Sequence, residues 1–175
     1  MKIEPQNSPE MAELCRLIEP IPVAMLSNID AEGALVSRPM AALEVDAAGA
    51  VWFFVDLRSS RVEFLRVVNL SFVDGARGTY VSLSGRGEIR SDRSHVERLW
   101  TPMAKPWFPE GPASTNLALL KFVPHTAEYW DAPNSKMVRM FAMAASIVAG
   151  KPIAMGENET LTHLSAAPQA PPVSG

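Results

Sequence analysis

The sequence is short of cysteine, of positive charge and of long apolar runs. Its single cysteine, Cys15, cannot form an intramolecular disulfide, and no second cysteine is available for a zinc or dithiol site. The formal net charge of −3 gives no general attraction to nucleic acid or to anionic lipid surfaces. No run approaches the about 18 apolar residues of a membrane span. We therefore expect neither nucleic acid nor a membrane as a partner.

Signature motifs of several enzyme classes are also missing. The sequence contains no G-x-S-x-G, no P-loop and no G-x-G-x-x-G, which argues against classical hydrolases, kinases and Rossmann enzymes. The three histidines, His95, His125 and His163, fall in separate predicted elements without a carboxylate or thiol at ligand spacing. We predict that each is a surface residue and that no metal is bound.

Length, composition and the chain ends favour one globular domain. Hydrophobic residues make up 47% of the 175 residues and charged residues 20%, as in an ordinary globular protein with one core. We expect a single domain over residues 1–165 and a disordered tail over residues 166–175, which are rich in alanine and proline. The N-terminal segment has proline and acids where a signal peptide is apolar, so the expected location is cytoplasmic.

Most of the chain reads as β-strands joined by short turns. Acid-and-glycine turns at residues 30–33 and 46–49 separate apolar stretches rich in β-branched and aromatic residues. This pattern predicts a mainly β (α+β) fold, an antiparallel barrel of six or seven strands rather than a βαβ sheet. The strands are drawn from VAMLSNI, ALVSRPM, LEV, VWFFV, LSFVD, TYVSLSGRGEIRS, LALLKFV and TAEYW, and Gly85 and Gly87 are expected to bend the longest of them.

A few helices are expected between the strands. Each begins at a capping residue and places apolar side chains at helical spacing. The predicted helices cover residues 8–18, a short segment that begins at Ser59 and carries Val62, Leu65 and Val68, a segment capped by Asp92 that carries Val96, Leu99, Trp100 and Met103, and residues 136–149.

Two cationic stretches could bind a phosphate. Arg38 and Pro39 end the second predicted strand, and because proline cannot donate to a sheet we expect an irregular, accessible backbone there. A guanidinium in that place can bind phosphate through two hydrogen bonds. Residues 58–61, Arg-Ser-Ser-Arg, add hydroxyls and a helix start directly after the VWFFV strand. An ion-paired surface arginine and a solvated helix cap are the alternatives for each stretch taken alone.

Aromatic residues form the third candidate group. Trp107 and Phe108 lie in a loop between Pro106 and Pro109, and a rigid aromatic loop of this kind could stack on a planar ligand. Aromatic side chains more often fill cores, and Trp100 and Trp130 fit that alternative equally well.

At these residues the sequence resembles the general stress protein branch of the pyridoxamine 5′-phosphate oxidase-like, FMN-binding split-barrel family. The resemblance covers residues 10 to about 131. It runs through SRPM, WFFV followed by D-x-x-S-S-R, SLSG, D-R-x-x-V-x-x-LW, WFPEG and EYWD, in that order. The order and spacing of these motifs carry the resemblance, since none of them is specific alone.

The resemblance implies a homodimeric split barrel with two FMN sites, each built from both chains. Arg38, Ser59, Ser60 and Arg61 would hold the phosphate. The backbone of Pro39, Met40, Phe54 and Val55 would run beside the isoalloxazine, and Ser84, Trp107 and Phe108 of the partner chain would close the site. FAD is an alternative to FMN.

The sequence also departs from the family pattern. The family commonly has threonine at the position of Val55 and lysine at that of Arg61, and paired acids where residues 112–115 read Pro-Ala-Ser-Thr. The C-terminal arginine–histidine motif of true pyridoxamine phosphate oxidases is absent, so vitamin B6 oxidation is not expected.

Three hypotheses about function follow. The first is an FMN-dependent oxidoreductase of unknown substrate, in which the flavin carries the chemistry. The second is a non-catalytic protein that senses or stores flavin under stress. The third, a haem or deazaflavin protein, is disfavoured for haem because no histidine lies in the predicted pocket strands.

Overall fold

The structure, a computed structural model, describes residues 1–59, 62–131 and 157–162. Strands dominate these residues, with two α-helices and two short 3-10 helices at Val62–Phe64 and Pro102–Ala104. The α-helices are α1 (Pro9–Ile18) and α2 (Arg93–Leu99). The strands are β1 (Lys2–Ile3), β2 (Val23–Ile29), β3 (Leu35–Ala41), β4 (Glu44–Val45), β5 (Val51–Asp56), β6 (Val68–Asp74), β7 (Thr79–Arg90), β8 (Leu117–Asp131) and β9 (Glu157–Thr162).

All nine of these strands belong to one curled sheet. Its order is β1-β4-β5-β8-β7-β6-β2-β3, and β9 pairs with β8 beyond the end of β5. Every pairing is antiparallel except the short one between β1 and β4. The curl brings β3 into contact with β5, although the two are not neighbours in the sheet. The expected mainly β, antiparallel split barrel with flanking helices is confirmed, with nine strands in the described residues where six or seven were predicted.

The core lies inside the curl and follows the alternation of the strands. Inward side chains on β2, β5, β6 and β8, among them Leu26, Phe53, Phe72 and Phe122, are fully buried. Helix α1 covers this core with Met11, Leu14, Cys15, Leu17 and Ile18, and Ser8 caps it as predicted by accepting a hydrogen bond from the Met11 amide. A second apolar cluster packs α2 against the opposite face of β5, so β5 is buried on both faces.

Strand β8 is longer than expected. We predicted two strands, LALLKFV and TAEYW, but residues 117–131 form one. Pro124 lies in the interval between the stretch that pairs with β5, which ends at Phe122, and the stretch that pairs with β9, which begins at Thr126. A residue without an N–H group fits such an interval. The register between β8 and β7 shifts at Ser84 and Gly85 of β7, which confirms the predicted irregularity at Gly85.

Three local expectations are wrong. Val68, expected on the helix that begins at Ser59, belongs to β6, and the described part of that segment has only a single 3-10 turn at Val62–Phe64, because strand pairing competes with the helix. Met103 is exposed rather than on a buried helix face, since α2 ends at Leu99. Pro39 does not interrupt its strand: β3 pairs regularly with β2 through Ala41, because a proline is tolerated on an edge strand.

Other expectations lie outside the described residues. These are the helix at 136–149, the tail at 166–175 and the exposure of His163. Among the residues that are described, no helix is both long and apolar enough to cross a membrane.

A buried carboxylate ties α2 to the N-terminal strand. Glu44 is 0% exposed and accepts hydrogen bonds from Arg98 at 2.7 and 3.0 Å, from Lys2 at 3.0 Å and from His95 at 3.1 Å. We call Glu44, Lys2, His95 and Arg98 the Glu44 cluster. Hydrogen bonds from Arg98, and then from Lys2 and His95, outweigh burial and lower the pKa of Glu44 from 4.5 to about 2.

His95 is thus not the surface residue that we predicted. Its side chain is 14% exposed, and its ring lies 4.3 Å from the ring of Trp52 on β5. His125, in contrast, is exposed as expected. Sequence alone could not pair residue 44 with residue 98, because the contact depends on how α2 packs over β4 and β5.

Gly87 allows the 3-10 turn at Val62–Phe64 to approach β7. A Cβ atom at Gly87 would lie 2.2 Å from the backbone oxygen of Leu65. Gly87→Ala is therefore expected to lower the free energy of unfolding by about 1–3 kcal/mol through overpacking. Gly75→Ala is the matched control, since a Cβ there meets nothing within 4 Å. Urea denaturation checks both, and equal stabilities of the two variants would contradict the close approach.

The Glu44 cluster predicts a defined loss of stability in acid. A carboxylate whose pKa is lowered in the folded state stabilises it above the unfolded pKa and loses that effect as the pH falls through the folded pKa. Between pH 4.5 and pH 2, this group should account for the loss of about 3 kcal/mol of unfolding free energy. Glu44→Gln should flatten the pH dependence in this window, whereas Glu13→Gln, in an exposed pair with Arg16, should change it little. Parallel pH dependences of Glu44→Gln and the wild type, measured by urea denaturation, would contradict the assignment.

Candidate functional site

Arg38 lies on the inner side of edge strand β3. It is opposite Leu26 of β2, and its Nη1 donates a 2.9 Å hydrogen bond to Oδ1 of Asn28. Asn28 is one of three buried polar or charged residues among the described part of the chain, with Glu44 and Thr79. The amide of Asn28 thus orients a half-buried guanidinium at the rim of the core.

A cavity of about 300 Å³ opens beside Arg38. Its wall combines residues of β2, β3 and the turn between them with Phe64 of the 3-10 helix Val62–Phe64. This helix begins one residue after Arg61, so the structure places the segment that follows the second cationic stretch at the same cavity as Arg38. The lining residues are Asn28, Asp30, Val36, Ser37, Arg38 and Phe64.

The second cationic stretch is described only in part. Ser59 is exposed, its amide donates to the Asp56 carbonyl at 3.0 Å, and its own carbonyl accepts from the Val62 amide at 3.2 Å. Arg58 forms an ion pair with Asp56 at 2.7 Å, so its charge is already engaged. Ser60 and Arg61 lie outside the described residues.

Phe54 and Val55 of β5 point to opposite faces of the sheet. Val55 belongs to the core inside the curl, and Phe54 packs with the cluster under α2. The rings of Trp100 and Phe108 each lie 5.9 Å from the ring of Phe54. We call Phe54, Trp100 and Phe108 the aromatic wall.

The two aromatic residues of the WFPEG loop differ in their packing. Phe108 contacts Phe54 of its own chain. Trp107 is 73% exposed and projects from the same loop. One residue of the pair therefore packs within the chain, and the other is available to a second molecule.

The remaining predicted residues lie around the curl. Met40 faces the core side of β3 and packs against it. Pro39 and Ser84 face outward, on the same side of the sheet. This side is defined by three pairs of directly opposed residues, which are Pro39 with Met25, Ser71 with Ser82, and Asn69 with Ser84. Nδ2 of Asn69 donates to Ser84 Oγ at 3.2 Å.

The outward side of the sheet carries many exposed apolar side chains. They surround a polar centre in which Ser27 and Ser37 are 2.6 Å apart and Asn69 is hydrogen-bonded to Ser82 and Ser84. We call this side the outer face. Its exposed apolar residues are Val23, Met25, Ile29, Leu35, Val73, Tyr80 and Trp130, of which Leu35 is 72% exposed.

The cysteine is placed where its chemistry is suppressed. Cys15 is buried on α1, and burial, with a smaller effect of Glu19, raises the pKa of its thiol to about 11. A thiol of this kind is a poor nucleophile at neutral pH. In the described residues, no three His, Cys, Asp or Glu side chains are grouped so that they could hold a metal ion.

Comparison with known proteins identifies relatives of this arrangement. A protein bli-3 of Neurospora crassa is 25% identical over 142 residues, which cover 74% of this chain and 68% of that protein. The crystal structure of a protein described as general stress protein 26 from Jannaschia sp. CCS1 is 25% identical, with a TM-score of 0.66, over 86% of this chain and 99% of that one. The general stress FMN/FAD binding protein of Xanthomonas citri is 26% identical, with a TM-score of 0.59, over 72% and 89%.

A family model also matches most of the chain. The model described as pyridoxamine 5′-phosphate oxidase like matches residues 9–153. This range includes both α-helices and strands β2 to β8, and therefore all the candidate residues discussed above. The chain therefore belongs to the pyridoxamine 5′-phosphate oxidase-like family.

Proposed function

We propose that this chain binds FMN between two copies of itself and acts as a flavin-dependent oxidoreductase. The observation that carries the proposal is the cavity at which Arg38 meets the 3-10 helix that follows Ser59, Ser60 and Arg61. The chain is 26% identical to the Xanthomonas citri protein described as a general stress FMN/FAD binding protein, which supports a flavin as the ligand. The cavity suits the phosphate group of FMN, and FAD remains an alternative.

The charges around the cavity favour a phosphate. Arg38 supplies a guanidinium whose orientation is set by Asn28. Asp30 also lines the cavity, but its Oδ1 accepts the amides of Glu32 and Ala34 at 3.1 and 2.8 Å, so the hairpin turn neutralises part of its effect. Hydroxyls of Ser59 and Ser60 and the guanidinium of Arg61 would complete the phosphate site, as charge-assisted hydrogen bonds to an oxyanion are stronger than neutral ones.

The isoalloxazine would lie where β3 and β5 approach each other. The curl puts these strands in contact, and they carry Pro39, Met40, Phe54 and Val55. Since the side chain of Val55 points into the core, the backbone of β5 is the part that could hydrogen-bond the polar edge of the ring. Phe108 would support the site within the chain, and Ser84 and Trp107 would be contributed by the partner.

The outer face supports a dimer. The seven exposed apolar side chains of this face are grouped on one side of the sheet, and grouped exposed apolar side chains mark an interaction surface. The same face carries Pro39 and Ser84. In the proposed site, Pro39 comes from one chain and Ser84 from the other. A two-fold dimer through the outer face would cover the apolar residues and bring each Ser84 to the neighbouring molecule's flavin.

A sensing or storage protein is the alternative. Within the described residues, the charged side chains that line the cavity are Asp30 and Arg38, and both already have hydrogen-bond partners. Any reaction would therefore depend mainly on the flavin itself. Anaerobic mixing with NADH and with NADPH distinguishes the two functions: bleaching of the flavin supports the oxidoreductase, and a flavin that no nicotinamide reduces supports the binding protein.

Removal of the phosphate contact should discriminate between FMN and riboflavin. Arg38→Ala is expected to weaken FMN binding by about 10- to 150-fold, because a charge-assisted hydrogen bond contributes about 1.5–3 kcal/mol. Riboflavin, which lacks the phosphate, should bind the variant and the wild type alike, and Arg38→Ala with Arg61→Ala should extend the loss for FMN. Quenching of flavin fluorescence measures these affinities, and Arg77→Ala, in an exposed pair with Asp74, is the control. Unchanged FMN affinity in a folded Arg38→Ala variant would remove the phosphate assignment.

A charge on the outer face should separate the dimer. Met25 lies between β3 and β6 on that face, so Met25→Glu would bury two carboxylates in a two-fold interface. We expect light scattering to show a monomer. The affinity for FMN should fall by at least about tenfold, since the site would lose the residues of the partner chain. Val67→Glu, at an exposed apolar residue before β6, is the matched control. A monomeric wild type that binds FMN would contradict the two-chain site.

A further inference from the structure

The Glu44 cluster joins elements that lie far apart in sequence. Lys2 belongs to β1, Glu44 to β4, and His95 and Arg98 to α2. All four polar contacts converge on one carboxylate that is fully buried. The position of α2 relative to the edge of the sheet is therefore set by directional hydrogen bonds as well as by apolar packing.

The same helix is linked to the face of β5 that carries Phe54. Trp52 and Phe54 are two residues apart on β5 and so share a face. His95 packs on Trp52 with the two rings tilted, and Trp100, the residue that caps the C-terminus of α2, packs on Phe54. Helix α2 thus lies over both aromatic side chains, and Arg98, which binds Glu44 from the last turn, is two residues from Trp100 of the aromatic wall.

Helix α2 also holds the far end of the WFPEG loop. Arg93 Nη1 donates to the Ser114 carbonyl at 2.8 Å and to the Leu117 carbonyl at 3.3 Å, and Nη2 donates to the Pro112 carbonyl. The loop leaves α2 at Trp100 and returns to contacts with Arg93. A shift of α2 would therefore move the whole loop that contains Trp107 and Phe108.

Stability alone is a weak reason to bury this carboxylate. Buried ion pairs are often no more stabilising than apolar side chains of similar volume, because both charges lose hydration. What they add is a defined geometry, since Arg98 binds Glu44 through two hydrogen bonds. A defined geometry for α2 matters most at the aromatic wall.

We propose that Glu44 and Arg98 are positioning residues for the ring half of the flavin site, acting through α2 on Phe54, Trp100 and Phe108. The inference rests on the proposed function, because it takes the aromatic wall as part of the flavin site. It predicts a different pattern of flavin affinities from that predicted for Arg38→Ala, which should weaken the binding of FMN alone. Substitutions that disturb the Glu44 cluster should weaken the binding of FMN and the binding of riboflavin by the same factor, since both ligands contain the isoalloxazine ring.

The test compares Arg98→Lys, Arg98→Met and Glu44→Gln with the wild type. Arg98→Met and Glu44→Gln should each lower the affinity for both flavins by about 2- to 30-fold, the range observed for residues that act on a site without touching its ligand. Arg98→Lys, which keeps one charged donor, should restore part of the affinity. The visible circular dichroism of bound FMN should change, and amide exchange over residues 100–116 should accelerate while β7 and β8 stay protected. Glu13→Gln is the control, because its pair with Arg16 on α1 is exposed.

The outcomes separate the two proposals. If the wild type binds neither flavin, the proposed function fails. If the wild type binds both and the folded Arg98 variants bind them with wild-type affinity, the positioning role fails and the proposed function stands. A loss confined to FMN would also overturn the inference, because the cluster would then act on the phosphate. Arg98 is partly exposed, so its variants serve if Glu44→Gln does not fold.

Discussion

The curl of one antiparallel sheet is the constraint on which the rest of the molecule depends. Strand β8 pairs with β5 along one edge and with β7 along the other, and the strands beyond β7 bend until β3 meets β5. Strands β3 and β5, which are separated by four strands in the sheet order, thereby come into contact.

The curl also divides the sheet into two faces with different consequences. The inner face is filled by Leu26, Phe53, Phe72 and similar side chains, and Arg38 lies at its rim, where a charge is costly unless it is paired. Asn28 accepts a hydrogen bond from this guanidinium, and under the proposed function the phosphate of the flavin would bind it as well. The outer face keeps its apolar residues exposed in a single chain, and a second copy would bury them. Under the proposed function, the rim of the inner face would hold the phosphate and the outer face would form the contact between two copies.

Local patterns predicted much of the fold, and tertiary contacts decided the rest. The hairpin of β2 and β3, the cap of α1 at Ser8 and the cap of α2 at Asp92 follow from neighbouring residues, and all are present. The 3-10 turn in place of a longer helix, the unbroken β8 and the burial of His95 depend on partners far along the chain. Glu44 was missed for the same reason: nothing near residue 44 signals that Arg98 and Lys2 will meet it. For the candidate site, the sequence pattern proposed Arg38, which lines a cavity, and the aromatic loop, whose Phe108 packs on Phe54 of its own chain, a contact that only the structure could reveal.

A crystal structure of the protein grown with FMN tests the central claim most directly. The account predicts one flavin per chain, with its phosphate hydrogen-bonded to Arg38 beside the 3-10 helix Val62–Phe64, its ring next to β5, and Ser84 or Trp107 of a second chain in contact with it. A flavin bound away from Arg38, or enclosed by a single chain, would contradict the account.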